Sequence, residues 1–296
     1  MAADVVLVPE FLAPAERSGC VTYLPGELPD ETVRRSVGFF VPDYIDNPNP
    51  EWMRSLPGLQ VVQLPTVGFD AALAHLPVGV TLCNAAGVHE QSTAELAVGS
   101  IIARWRGIDR AARDMSQGVW DHRRGRSLQE ASVLIIGAGG VGTRIADALR
   151  PLGARIQMVG RSPRQGVHGL PDLHELLADA DVVVLAVPLT AETTDMVDDD
   201  FLARMPDGSL LVNVARGAVV VTADLLKHLP RIEAVLDVVD AEPLPSDHPL
   251  WNQPGVLITP HIGGDTDAFP RLARRLIAEQ VDRWRRGESL VNVVAP

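Results

Sequence analysis

The sequence predicts an α/β protein with doubly wound parallel sheet, and three observations carry that prediction. Apolar runs of strand length alternate with helical stretches through most of the chain, and one such run passes straight into a Gly-x-Gly-x-x-Gly turn. The chain has 296 residues, enough for two domains that each bury a core. Its 46% hydrophobic and 22% charged residues are those of a globular protein, and no run approaches the ~20 apolar residues that span a bilayer.

Taken in order, Val5–Val8 and Val61–Leu64 predict short buried strands, separated by Pro/Gly-punctuated turns and one helical stretch. Residues from Gln91 to about Met115 turn helical and rich in small side chains. Val133–Ile136 is a strand, and Thr143–Leu152 has helical spacing with Ile145, Ala148 and Leu149 on one side. The alternation continues with strands at Ile156–Val159, Val182–Val187, Leu210–Val214, Ala234–Val238 and Val256–Thr259, and helices at Leu173–Leu177 and Ala223–Leu229. Right-handed crossovers between such strands imply a parallel sheet covered on both faces. A long helix, Phe269–Arg286, and a short apolar tail, Leu290–Val294, complete the pattern.

The turn itself, Gly137-Ala138-Gly139-Gly140-Val141-Gly142, suits a dinucleotide. Gly137 permits the tight turn out of the strand, Gly139 lets the backbone approach a pyrophosphate, and Gly142 lets the helix pack closely; the helix N-terminus, with Gly140 and Val141, offers free N–H groups to the phosphates. At the end of the next strand an NAD site carries an acidic residue for the ribose 2′-hydroxyl. Here that position reads Gly160-Arg161-Ser162-Pro163-Arg164. Arg161 and Arg164 are always-charged forks suited to a 2′-phosphate, and Ser162 adds a hydroxyl, so NADP(H) is favoured and NAD(H) remains possible. The other reading of this turn is a solvated basic loop.

Charge and cysteine usage exclude several classes. The net charge of −12 disfavours nucleic acid and anionic membranes, and the arginine-rich stretches near 104–126 and 271–286 lack an aromatic platform or a recognised motif, which leaves solvated helix faces or subunit contacts. Two cysteines, Cys20 and Cys83, give neither a disulfide framework nor metal-ligand spacing, and the start MAADVVLVPE lacks a basic head and a long apolar run. A cytoplasmic protein without a metal is therefore expected.

Three further strand ends deliver reactive side chains where open α/β sheets hold their ligands. They are Val212-Asn213-Val214-Ala215-Arg216-Gly217, then Leu236-Asp237 running on to Glu242-Pro243, and Thr259-Pro260-His261-Ile262-Gly263-Gly264. An arginine to hold a carboxylate and polarise a ketone, a histidine to donate a proton and a carboxylate to orient the imidazole match hydride transfer to a 2-ketoacid. Singly, Arg216 also suits a helix cap, Glu242 a solvated loop and His261 a buried structural histidine.

Together with Val187-Pro188-Leu189-Thr190, Thr193 and Pro249-Leu250-Trp251, these segments stand in the order of the D-isomer-specific 2-hydroxyacid dehydrogenases, and the chain resembles the short glyoxylate/hydroxypyruvate reductases among them. The resemblance implies that Arg216, Glu242 and His261 are catalytic, with Arg216 binding the substrate carboxylate. It places Val187, Pro188, Thr193, Val214, Ala215, Asp237, His261 and Gly263 along the cofactor, Asp237 at the nicotinamide carboxamide. Thr66-Val67-Gly68-Phe69-Asp70 resembles the substrate loop, in which backbone N–H groups around Val67 and Gly68 grip the carboxylate. Asn84–Val88, leading to Ala94-Glu95, resembles the segment before a hinge helix, and His89 stays open between a surface role and substrate contact. The layout implied is two Rossmann/flavodoxin-like domains: a substrate domain of residues 1–98 plus 264–296, and an inserted dinucleotide-binding domain of residues 99–263. The region Ile101–Gln129 resembles the family's dimerisation arm, with Trp105 and Trp120 as candidate anchors, so a homodimer is expected. Glu242 beside the histidine argues against the formate dehydrogenase branch. Open alternatives are 3-phosphoglycerate, D-lactate or phosphite as substrate with NAD, and a nucleotide-sensing scaffold without catalysis.

Overall fold

The computed structural model describes residues 4–15, 19–44 and 49–295. In chain order the elements begin with β1 (Val5–Pro9), β2 (Cys20–Tyr23), α1 (Glu31–Ser36), β3 (Val37–Phe40), β4 (Val61–Gln63), α2 (Asp70–Leu73) and β5 (Thr81–Cys83). Next come α3 (Glu90–Trp105), α4 (Ile108–Met115), β6 (Ser132–Ile136), α5 (Gly140–Leu149), β7 (Arg155–Val159), α6 (Leu173–Ala178), β8 (Val182–Leu185) and α7 (Asp199–Arg204). The chain closes with β9 (Leu210–Asn213), α8 (Thr222–His228), β10 (Glu233–Leu236), β11 (Val256–Ile258), α9 (Ala268–Arg286) and β12 (Val293–Ala295). Two compact units result: one of Met1–His89 with Thr266–Pro296, the other of Glu90–Asp265. Helix α3 belongs wholly to the second unit, so the division lies ahead of residue 98.

The first unit holds a sheet in the order β12-β5-β4-β3-β1-β2. All its neighbours run parallel except β12, which pairs antiparallel with β5, Val293 opposite Cys83. The apolar tail expected at Leu290–Val294 thus supplies an edge strand to an otherwise parallel sheet. Strands buried on both faces alternate their side chains between two cores: Val6, Val8 and Phe39 pack under α9, whereas Leu7, Phe40 and Val62 face the other way. Helix α9 contributes Phe269, Ala273, Ile277 and Val281, an apolar stripe at four-residue spacing, and ends at Gly287 in the left-handed conformation (φ 65°).

The second unit holds an all-parallel sheet in the order β11-β10-β9-β8-β6-β7. Leu134 and Ile136 of β6 face one core, Val133 and Ile135 the other. Helices α3 and α5 cover the second face through Ala94, Ala97, Ile101 and Trp105, and through Ile145, Ala146 and Leu149. The helical stretch expected from Gln91 to Met115 is interrupted, because Gly107 takes a left-handed conformation (φ 67°) and α4 starts afresh after it. Because β6 lies between β7 and β8, the chain reverses its direction of growth at β6, and the turn that leaves its carboxyl end sits at a topological switch point.

Candidate active site

The glycine turn joins β6 to α5 with the geometry a dinucleotide needs. Gly137 has φ 112°, and a Cβ on it would lie 2.2 Å from the Ala186 carbonyl oxygen. A Cβ on Gly142 would lie 1.8 Å from the Gly137 oxygen, so only glycine lets α5 seat this close to its strand. Gly139 has open space where a side chain would stand, which leaves its backbone approachable. Beside Gly140 that space is filled by the carboxylate end of Glu90. The turn, the open Gly139 and the start of α5 at Gly140 and Val141 therefore fit a pyrophosphate.

At the end of β7, Arg161 and Ser162 are exposed, and Arg164 donates to the Ala138 carbonyl at 2.6 Å, tying the basic turn to the glycine turn. Glu192 faces this region; its hydrogen bond from Thr190, its own backbone N–H and the charge of Arg161 hold its carboxyl below the usual range. Val187 and Pro188 follow β8. Thr193 is committed locally, donating to the Pro188 carbonyl at 2.6 Å and accepting from Thr190 N–H at 2.8 Å. Val214 and Ala215 follow β9, where buried Asn213 accepts from Ala215 N–H and donates to the Arg216 carbonyl, both at 3.0 Å. Asn213, at a buried strand end, thereby fixes the backbone that leads to Arg216.

The reactive set gathers at the carboxyl ends of β9, β10 and β11. Glu242 Oε2 and His261 Nδ1 are 2.7 Å apart, and Glu242 Oε1 accepts from Val239 N–H at 3.0 Å. Burial pushes the Glu242 carboxyl up, but the hydrogen bond and charge of His261, the Val239 N–H and the charge of Arg216 outweigh it and hold the group below the usual carboxylate range. His261 itself sits at φ 53°, an uncommon conformation for a non-glycine residue. Asp237 over-determines that turn. Only 4% exposed, it accepts from the Thr259 hydroxyl (2.7 Å) and Ile262 N–H (3.0 Å) on Oδ1 and from Gly263 N–H (2.9 Å) on Oδ2, while its carbonyl takes His261 N–H at 2.8 Å. Three of its about four acceptor sites are thus spent on the histidine turn. One acceptor site remains.

In the first unit the loop after β4 places Val67 and Gly68 half-buried at the carboxyl end of that sheet. Asn84 follows the neighbouring β5, and His89 packs beside the Tyr44 and Phe269 rings: its centroid lies 5.0 Å from Phe269 and 5.9 Å from Tyr44. His89 is buried, which excludes the surface role left open by the sequence.

The fold and the site define an α/β dinucleotide-binding protein with an arginine, a glutamate and a histidine at adjacent strand ends. The chain belongs to the D-isomer specific 2-hydroxyacid dehydrogenases: the model of that family's NAD binding domain matches residues 98–263. The family is one of NAD(P)-dependent dehydrogenases, and the chain's similarities include its glyoxylate/hydroxypyruvate reductases. It is 39% identical over 167 residues to glyoxylate/hydroxypyruvate reductase A of Klebsiella pneumoniae (strain 342), covering 54% of this chain and 53% of that one. It is 32% identical over 229 residues to D-3-phosphoglycerate dehydrogenase of Methanocaldococcus jannaschii, covering 73% and 43%. Among solved structures, a D-isomer specific 2-hydroxyacid dehydrogenase from Xanthobacter autotrophicus Py2, in complex with NADPH and MES, superposes with a TM-score of 0.81 at 28% identity over 100% of this chain and 99% of that one.

Proposed function

We propose that this protein reduces a small 2-ketoacid of the glyoxylate or hydroxypyruvate type to its D-2-hydroxyacid, reversibly and with NADPH preferred. The observation that carries the reading is the 2.7 Å pair of His261 Nδ1 with an ionised Glu242, in the field of Arg216. With Nδ1 committed to the carboxylate, the transferable proton sits on Nε2. Bound at the glycine turn, the reduced dinucleotide supplies the hydride. His261 Nε2 then delivers its proton to the ketone oxygen, Arg216 holds the substrate carboxylate and draws charge toward that oxygen, and Glu242 stabilises the imidazolium before the transfer. In the oxidative direction the neutral imidazole takes the hydroxyl proton. By the family resemblance, Val67 and Gly68 N–H groups bind the substrate carboxylate, and Asp237 holds the histidine turn with one acceptor site left for the nicotinamide carboxamide.

NADPH preference rests on Arg161 and Ser162 standing where an NAD site carries a carboxylate. Cys20 and Cys83 form no disulfide among the described residues, which supports a reducing cytoplasm as the place of action. Assaying glyoxylate, hydroxypyruvate, pyruvate and 3-phosphohydroxypyruvate with NADPH and with NADH, by loss of reduced-nicotinamide absorbance, tests the reading. Glyoxylate or hydroxypyruvate with NADPH should give the highest kcat/KM, and Arg161→Ala should lower it by about 10- to 100-fold while sparing NADH. Cofactor binding without turnover of any ketoacid would instead mark a nucleotide-sensing scaffold.

A further inference from the structure

We propose that Asn84 and His89 are positioning residues that aim the N–H groups of the Pro65–Phe69 loop at a substrate carboxylate, an inference that rests on the ketoacid reading above. Four consecutive carbonyls of this loop are tied back. His89 Nε2 holds the Pro65 oxygen, Ala85 N–H the Thr66 oxygen, Asn84 Nδ2 the Val67 oxygen and the Thr66 hydroxyl the Gly68 oxygen, each at 2.8 Å. A trans peptide plane carries its C=O and its N–H in opposite directions. Fixing each carbonyl therefore turns the following N–H, of Thr66, Val67, Gly68 and Phe69 in turn, away from the group that holds it. None of these four N–H groups has an acceptor among the described residues. Successive backbone donors left free in a half-buried loop form an anion-binding concavity.

The two side chains from outside the loop that tie it, Asn84 and His89, are themselves immobilised. Asn84 is buried, accepts from Ala86 N–H at 3.2 Å, and has its own backbone held by the Asn292 carbonyl (3.0 Å) and by Gln63 Nε2 (3.0 Å). His89 is clamped in a ring stack, with Tyr44 and Phe269 a further 4.1 Å pair in the same group. A carbonyl acceptor 2.8 Å from Nε2 fixes the proton on that nitrogen. Both side chains are buried, and each spends a donor on a loop carbonyl. Their contribution to substrate binding therefore passes through the backbone they orient.

The test compares the whole protein with His89→Phe, which keeps a flat ring for the stack but removes the donor, and with Asn84→Asp, which keeps the shape but replaces a donor with an acceptor. Both should raise the KM for the ketoacid, and the inhibition constant of oxalate, by about 5- to 20-fold, while kcat stays within about threefold and NADPH affinity is unchanged. In the unmodified protein, oxalate added with NADPH should slow hydrogen exchange at the amides of residues 66–69, a measurement that needs no variant to fold. Unchanged KM in His89→Phe, equal losses in kcat, KM and cofactor affinity, or no protection of those amides would each overturn the proposal while leaving the ketoacid reading intact. If the unmodified protein neither turns over ketoacids nor binds oxalate, the parent reading falls and takes this one with it.

Discussion

At the scale of single residues the proposed reaction turns on the 2.7 Å pair of His261 with a carboxylate held ionised. The depressed Glu242 carboxyl stays ionised down to pH values below the usual carboxylate range, so it is an anion wherever the proposed reaction runs near neutrality. Reduction needs imidazolium and oxidation needs neutral imidazole, so the reductive rate should fall, and the oxidative rate rise, as pH increases. Glu242→Gln removes the anion that favours imidazolium and should move both limbs to lower pH, seen in kcat/KM profiles. His261→Ala should lose most turnover, about 100-fold or more, yet keep NADPH affinity. Near-normal turnover in that variant would place the proton donor elsewhere. The sign for stability is separate: a carboxyl depressed in the folded state contributes above its unfolded value, taken as 4.5, and that contribution is lost as pH falls through the folded value.

At the scale of elements, the junction of α3, α4 and β10 is held by charge. Arg104 pairs with Asp109 on α4 and, at 3.0 Å, with Glu233 at the start of β10, and Asp109 is 3% exposed at its side chain. Burial opposes the Arg104 charge, but the hydrogen bonds and charges of Glu233 and Asp109 outweigh it. Asp109→Ala leaves Arg104 half-paired in a buried place and deprives Arg113 of its partner, and should cost about 2–3 kcal/mol in urea unfolding of the second unit. A loss under about 0.5 kcal/mol would show that the pair is screened as a surface bridge is. These residues also show where sequence reading ends. The arginines near 104–126 look like one basic face, yet Arg104 and Arg126 are structural, the latter 4.2 Å above the Trp105 ring and paired with Asp181. Long-range partners leave no local trace. Strands of the second unit were legible because each is a run of apolar residues closed by a motif. In the first unit β2, β3 and β5 are three or four residues long, and their strand identity comes from neighbours in the sheet that lie far away in sequence. The clustering of Arg216, Glu242 and His261 could be read because each follows a strand in a recognisable motif. Asn84 and His89 could not, since their function lies in hydrogen bonds to a loop some twenty residues earlier.

At the scale of the whole molecule, the open matter is what covers the segment between α4 and β6. Residues 116–131 form neither helix nor strand, and they carry Val119 and Trp120 outward, Trp120 with 96% of its surface exposed. Ile108 and Met115 on α4 are exposed nearby in sequence. Trp105, the other candidate anchor, packs instead inside its own unit with Leu128 and Ala131, so the burden of any association falls on Trp120. The segment is not loose at its far end: Arg126 donates to Asp181 at 2.6 Å, and its N–H reaches the Trp105 carbonyl at 2.9 Å. An anchored arm that holds a tryptophan and several aliphatic groups in water is what a subunit interface looks like before its partner arrives. The family resemblance of this region supports the same reading, a homodimer built on the arm. Light scattering at micromolar concentration should give twice the mass of one chain, and Trp120→Asp should lower it to a single chain. The variant should stay folded, with an unfolding midpoint that no longer depends on protein concentration, because Trp120 supports no core of its own. A single-chain mass for the unmodified protein rejects the dimer, and a dimer that survives Trp120→Asp places the interface away from the arm.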